Sequence, residues 1–276
     1  MHRNPQAEQM GDESMVRNLQ AQAEAIWPQE RPLIDAYQLP RGATVLDVGC
    51  GTGEWAARLL EHRPDLSLLG IDLDEAHLER ARARCADHGE RARFQRGDAF
   101  ALPVDDGACD LVACRHMVQA VPDVPTLIDE LRRVTRPGGR LHILAEDYGL
   151  MKFHPTRMDS DEFFRRGVFR YGQAIGCDLR IGRKLPALLA AAGLTDVRAS
   201  YIVIDTLRVA RPVFAGIWKA WRDGYTEVLA AHSDLSIDEV RAHWADMIAC
   251  IEDPAGYAAW LLPAVGARRR DASAAG

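Results

Sequence analysis

Three aspartates and three glycines carry the chemical signal of this sequence. Asp47, Asp72 and Asp98 stand 25 and 26 residues apart, about one strand–helix repeat each. A sheet built of such repeats sets the three carboxylates along one carboxyl edge, where open α/β sheets bind ligands. Gly49, Gly51 and Gly53 follow Asp47 in the run VLDVGCGTG, Val45 to Gly53. Glycines between a buried strand and a helix let the chain turn tightly and let a ligand approach the backbone, although a plain packing turn uses the same residues. Asp72 is suited to accept both hydroxyls of a ribose held over that turn, and Asp47 to meet a cationic amine, which no pyrophosphate offers. Asp72 and Asp98 are also suited to capping the turns that follow them. A dinucleotide fingerprint is not met, because Glu54 stands where GxGxxG/A needs a small residue, and a GxxxxGK[ST] phosphate loop is absent.

The elements that must hold these residues alternate along the chain. Apolar periodicity predicts strand 43–48, helix 54–62, strand 66–71, helix 75–88 and strands 92–95 and 110–114. Helix 124–136, the turn Pro137-Gly138-Gly139 and strand 140–145 complete a doubly wound sheet of parallel βαβ units. Ahead of it, residues 1–11 read as a frayed polar tail, followed by two leading helices separated at Pro28. After it come a loop-and-helix segment over 148–177, helix 182–192, strand 196–205, two or three helices over 212–252, strand 257–265 and a small basic tail. The expected organisation is leading helices to residue 40, a core over 41–148, a lid segment over 149–195, last strands over 196–266 with a helical insertion at 211–253, and a tail.

Charge narrows the partners. The 276 residues carry 34 Lys and Arg against 40 Asp and Glu, a net charge of −6, which disfavours nucleic acid and anionic membrane surfaces. Six cysteines without CxxC spacing read as reduced thiols of a cytoplasmic protein and not as a disulfide framework or structural zinc site. No apolar run reaches the roughly 18 residues of a membrane span, and residues 1–15 lack a signal core.

With these residues in view, the sequence resembles the class I S-adenosylmethionine-dependent methyltransferases. VLDVGCGTG looks like their first motif, GIDLD (70–74) like the acidic loop after strand two, GDAFALP (97–103) like the adenine-side loop, and RPGGRLHI (136–143) like the turn into strand five. The four motifs occur in order over just over a third of the chain. The resemblance implies a Rossmann-like seven-stranded sheet, mostly parallel with the last strand antiparallel, under a helical cap, and S-adenosylmethionine as cofactor. By it, Gly49 and Gly51 lie against the methionine part and Asp72 holds the ribose. Leu73 packs on adenine or fills the core, and Asp98 and Ala99 meet the adenine edge. In CRHMVQAVPD, Cys114 to Asp123, the matching arginine, Arg115, neighbours the methionine end. The family's histidine before the apolar-Pro-Asp ending is Ala120 here, so no base is carried over at that position. His116 stands nearby as a substitute or as a packed histidine.

Methyl transfer from a sulfonium is a direct displacement, so alignment matters most and a base is needed only when the nucleophile must lose a proton. EDYGLMKFHP, Glu146 to Pro155, leaves strand five at the ligand edge. His116, Asp147 and His154 are the candidate catalytic groups, and Glu146, Tyr148 and Trp218 the candidate substrate contacts. Trp221 and Trp244 either roof an acceptor pocket or pack the cap. Trp27 and Glu30 either close over the cofactor or pack the leading helices. The sequence lacks an [DNS]PP[YFW] run, a Pro-Cys pair and an Asp-Asn metal pair, which removes the nucleic-acid and metal-dependent branches. The layout is similar to the ubiquinone-biosynthesis-like and secondary-metabolite group, implying a small-molecule acceptor methylated at O, N, C or S. The alternatives are a noncatalytic cofactor-binding scaffold and an NAD-dependent oxidoreductase.

Overall fold

A computed structural model describes residues 5–6 and 13–271. The chain opens on α1 (Glu13–Asp35) and alternates β1 (Thr44–Val48), α2 (Glu54–His62), β2 (Ser67–Asp72), α3 (Glu75–Arg84), β3 (Ala92–Arg96), β4 (Cys109–Arg115), α4 (Val124–Val134) and β5 (Thr135–Leu144). There follow β6 (Met151–His154), α5 (Ser160–Phe163), a π-helical turn (Phe164–Val168), α6 (Phe169–Ala174) and α7 (Leu185–Ala191). The last elements are β7 (Thr195–Asp205), α8 (Arg211–Ala231), α9 (Ile237–Glu252) and β8 (Tyr257–Arg268).

Local chemistry explains where the helices begin. The Asp74 carboxylate accepts from the N–H groups of Ala76 and His77 at the start of α3, and Asp123 accepts from Thr126 at the start of α4. Ser236 and Glu239 form a reciprocal capping box on α9. The strands β1 and β4 are buried almost throughout, as central strands covered on both faces must be. Leu127, Ile128, Leu131, Leu185 and Leu189 from α4 and α7 pack on Leu46, Val112 and Ile143 on one face of the sheet. Leu59, Leu60 and Leu78 from α2 and α3 pack on Val45, Leu68 and Leu111 on the other.

The strand order is β3-β2-β1-β4-β5-β8, with β7 on the far side of β8. Strands β1 to β5 are parallel, and β8 runs antiparallel to both β5 and β7. The register sets Val48 beside Ile71 and Cys114, and Arg115 beside Leu144, so the strands end together at one edge.

The structure differs from the sequence expectations in several places, among them helix 124–136, which ends at Val134, and the turn expected at Pro137-Gly138-Gly139, which lies within β5. α1 is one helix that carries both Pro28 and Pro32, and not two helices parted at Pro28. Each proline removes one N–H donor, and packing of α1 against α2, α8 and β7 outweighs that loss. The sheet has eight strands instead of seven, because Met151–His154, expected as loop, pairs with Tyr257–Trp260 of β8. Helix 75–88 ends at Arg84 and gives way to a 3-10 turn over Ala86–Arg91. Gly266, Ala267 and Arg268, expected in the tail, are the end of β8. The frayed tail expected over 1–11 lies, apart from residues 5–6, outside the described residues, as do 272–276.

Candidate active site

The glycine turn is built against the end of β2. The N–H groups of Gly49 and Cys50 both donate to the Ile71 carbonyl, at 2.8 and 3.1 Å. Gly49, Gly51 and Gly53 adopt φ of +74°, +52° and +76°, the left-handed region that L side chains rarely adopt. A Cβ on Gly53 would stand 3.0 Å from the Ala81 backbone, so this glycine lets α2 and α3 approach each other. The Asp72 carboxylate accepts from Gly51 N–H at 2.8 Å and from Asp74 N–H at 3.0 Å, joining the two loops that frame the edge. Asp98 likewise accepts from Phe100 N–H at 2.9 Å.

A groove of about 480 Å³ runs along this edge, lined by Gly49, Gly51, Asp72, Leu73, Asp98 and Ala99 and also by Arg115, His116 and Met117. Leu73 is 47% exposed, so it is not core filling; it presents an apolar surface at the groove. Asp47 lies behind the glycines beside a smaller recess that Arg115 and His116 also line. Burial pushes its carboxyl up to about 7 against the pull of Arg115, with Glu30 and Asp72 adding to the rise.

Arg115 is tied to α1. Its guanidinium donates twice to the fully buried Glu30, at 2.7 and 2.9 Å, and lies 5.6 Å from the centre of the Trp55 ring. Glu30 also meets His142 Nε2 at 3.0 Å, and His142 Nδ1 meets the Tyr37 hydroxyl at 2.8 Å. Leu19, from the same helix, lines the groove, the recess behind the glycines and the cavity described next.

A second cavity adjoins the groove through His116, Leu19 and Ala120, which line both. Tyr148, Phe164, Tyr171, Trp221, Tyr225 and Trp244 supply aromatic walls. Gln6, Asn18, Gln22, His116, Gln119 and Glu146 supply its polar lining, and the Tyr225 hydroxyl donates to Gln6 Oε1 at 3.0 Å. Burial holds the phenols of Tyr148, Tyr171 and Tyr225 above their ordinary range, that of Tyr171 to about 12, so all three stay neutral. His116 Nδ1 stands 2.6 Å from Glu146 Oε1, and both side chains are nearly sequestered from solvent.

The sequence candidates therefore divide. Asp47, Gly49, Gly51, Asp72, Leu73, Asp98, Ala99 and Arg115 come together at the groove or its adjoining recess, and His116, Glu146 and Tyr148 at the cavity. Three others stand elsewhere. Asp147 is fully buried, with both oxygens paired to Arg183 and one also capping Gly149 N–H, so its charge is already spent on structure. His154 is exposed on β6. Trp218 is sealed in the core, with Trp221, 4.9 Å away between ring centres, at the cavity in its place. Sequence reasoning missed Asn18, Gln22 and Gln119. The first two form an i, i+4 polar pair beside the apolar stripe of Leu19, Ala23 and Ile26, a legible signal of a helix face that meets a polar cavity.

Fold and site together define a doubly wound α/β protein with a groove along the carboxyl edge of its sheet that adjoins an aromatic-walled cavity. Residues 45–139 match the family model described as methyltransferase domain. The demethylmenaquinone methyltransferase of Lactococcus lactis is 36% identical over 117 residues, covering 42% of this chain and 44% of that protein. The 27-O-demethylrifamycin SV methyltransferase of Amycolatopsis mediterranei is 40% identical over 105 residues, covering 37% and 38%. The matched region thus spans less than half the length of these curated relatives. A phosphoethanolamine N-methyltransferase of Haemonchus contortus, solved with S-adenosylhomocysteine, shares the fold at a TM-score of 0.55 and 19% identity, covering 89% of this chain and 53% of that one. Over the matched segment the resemblance to S-adenosylmethionine-dependent methyltransferases is shown.

Proposed function

We propose that the chain transfers a methyl group from S-adenosylmethionine to a small-molecule acceptor by in-line displacement. The observation that carries this reading is the junction at His116, where a groove edged by glycine backbone and aspartates opens on a cavity with aromatic walls. Such an arrangement suits a charged donor and an apolar acceptor that meet at one point.

The residues fit that donor. Gly49 and Gly51 leave backbone bare for its methionine part, with Arg115 beside them. Asp47 is the buried carboxylate for its ammonium, and each oxygen of Asp72, already accepting one N–H, has a further lone pair for a ribose hydroxyl. Leu73, Asp98 and Ala99 offer an apolar face and a polar edge for adenine. When bound, the donor supplies an electrophilic methyl group. The protein's part is to align the acceptor and exclude water, which lowers the barrier by fixing the reacting atoms in one geometry. The named activities of the two bacterial relatives support a small-molecule acceptor. The six cysteines, all free of disulfides, support a reducing cytoplasm, and the rifamycin enzyme's name supports a place in secondary metabolism.

The test combines calorimetry with S-adenosylhomocysteine and transfer from methyl-labelled S-adenosylmethionine into small-molecule extracts. Binding with label transfer is the expected result. Binding without consumption would make the protein a scaffold. Binding of NADH in place of S-adenosylhomocysteine would make it an oxidoreductase.

A further inference from the structure

We infer that the acceptor is a neutral aromatic molecule with a phenolic or enolic O–H, methylated on that oxygen, with His116 Nε2 as the base and Glu146 as the residue that positions it. This rests on the methyltransferase reading and goes further by naming the acceptor class.

Buried atoms without partners decide it. His116 Nε2, Gln119 Oε1, Glu146 Oε2 and Asn18 Oδ1 are each buried without a hydrogen-bond partner, and all four side chains line the cavity. Gln119 cannot be turned the other way, because its amide N–H donates to the His116 carbonyl at 2.7 Å. With Nδ1–H donated to Glu146, the neutral imidazole keeps its lone pair on Nε2. Gln119 Oε1 and the ionised Glu146 Oε2 are therefore acceptors, His116 Nε2 is one in the neutral ring with its proton on Nδ1, and the Asn18 amide can present either end. A buried acceptor left unmade costs about 1–3 kcal/mol, so the occupant that satisfies this cavity brings hydrogen-bond donors. Trp244 Nε1 also lacks a partner and is matched by an ether or carbonyl oxygen.

Charge removes the rival acceptors. Among the described residues lining the cavity there is no lysine or arginine, and Glu146 is its one carboxylate. A phosphate or carboxylate acceptor would enter without a counter-ion and against that charge. An ammonium would pair with Glu146 and stay protonated, leaving no lone pair to attack. A neutral hydroxyl has neither fault, yet it must lose its proton as it attacks. In that step the acceptor oxygen–methyl bond forms and the methyl–sulfur bond breaks, leaving a neutral thioether. The hydroxyl proton passes to His116 Nε2, and Glu146 balances the imidazolium.

The backbone favours this use of His116. Its φ of +55° is uncommon outside glycine, and it is held there by its N–H to the Leu144 carbonyl at 2.8 Å and by Gln119 on its own carbonyl. Strain of this kind persists where surrounding structure imposes it, and functional sites are where it gathers.

The experiment uses the full chain and three probes of one size: 1-naphthol, 1-methoxynaphthalene and 1-naphthoate. S-adenosylhomocysteine is titrated first; its failure to bind would overturn the methyltransferase reading itself. In the S-adenosylhomocysteine complex, 1-naphthol is expected to bind at least tenfold more tightly than either rival. With S-adenosylmethionine carrying a labelled methyl group, the label is expected on oxygen. His116→Asn, whose new side chain tolerates positive φ, is expected to abolish the preference and lower kcat about 100-fold. Glu146→Gln is expected to lower kcat about tenfold with S-adenosylhomocysteine affinity unchanged, a split that general loss of packing would not produce. With S-adenosylhomocysteine bound normally, the inference is overturned if naphthol fails to bind, if either rival binds as well, or if the label is absent or on carbon.

Discussion

Arg115 at the end of β4 holds Glu30 of α1 through two hydrogen bonds, 2.7 Å from Nε and 2.9 Å from Nη2, in a pair nearly closed to water. This pair fastens the leading helix across the carboxyl edge of the sheet, and with it Leu19, Asn18 and Gln22, which wall the cavity. Burial alone would raise the Glu30 carboxyl, but Arg115 and then His142 outweigh it and bring it down to about 2, from an ordinary 4.5.

The first prediction is a pH dependence of stability. A carboxyl lowered on folding contributes fully above its unfolded value and loses that contribution as pH falls through the folded one. Urea midpoints are therefore expected to fall between about pH 5 and about pH 2, with Glu30→Gln showing a shallower fall. Glu30→Ala leaves the cation and His142 without their buried partner and is expected to cost about 3–5 kcal/mol.

Asp47 has the opposite sign. Its carboxyl is raised to about 7, so the unliganded native state binds the extra proton, and the Asp47 contribution to stability falls as pH rises from about 4 to about 7. Donor affinity moves the other way, because the ionised form pairs with an ammonium. Calorimetry is expected to show S-adenosylhomocysteine binding tightening between pH 6 and pH 8, and Asp47→Asn flattening that trend.

Asp72→Ala removes the proposed ribose acceptor together with the turn bonds to Gly51 and Asp74. It is expected to weaken S-adenosylhomocysteine binding by about 1.5–3 kcal/mol. Unchanged affinity would return Asp72 to a turn-capping role alone.

Ser236→Ala supplies the contrast. It breaks the capping box of α9, far along the chain from the groove, and is expected to lower stability by about 1 kcal/mol while leaving donor affinity as it was. Equal loss of affinity in this variant would mean that the groove responds to general destabilisation.

The donor edge was legible because its signal is local. VLDVGCGTG, GIDLD and GDAFALP each carry strand, turn and side chain within a few residues, and the register follows from the repeat. The acceptor side was less legible because its contacts join distant segments. His116 meets Glu146 across 30 residues, and Arg183 claims Asp147 across 36. Neighbouring acids at 146 and 147 look alike in sequence, yet one lines the cavity and the other is bound to a cation. Trp218 and Trp221 differ by less than one helical turn, and only packing decides which of them reaches the cavity. Pro28 misled for a related reason: a local breaker signal was overridden by the tertiary contacts of α1.

The most direct measurement is a crystal structure of the full chain grown with S-adenosylhomocysteine. The account requires ribose hydroxyls on Asp72, the amino group towards Asp47 and the sulfur facing His116. A ligand bound away from that edge, or turned so that its sulfur faces bulk solvent, would contradict it.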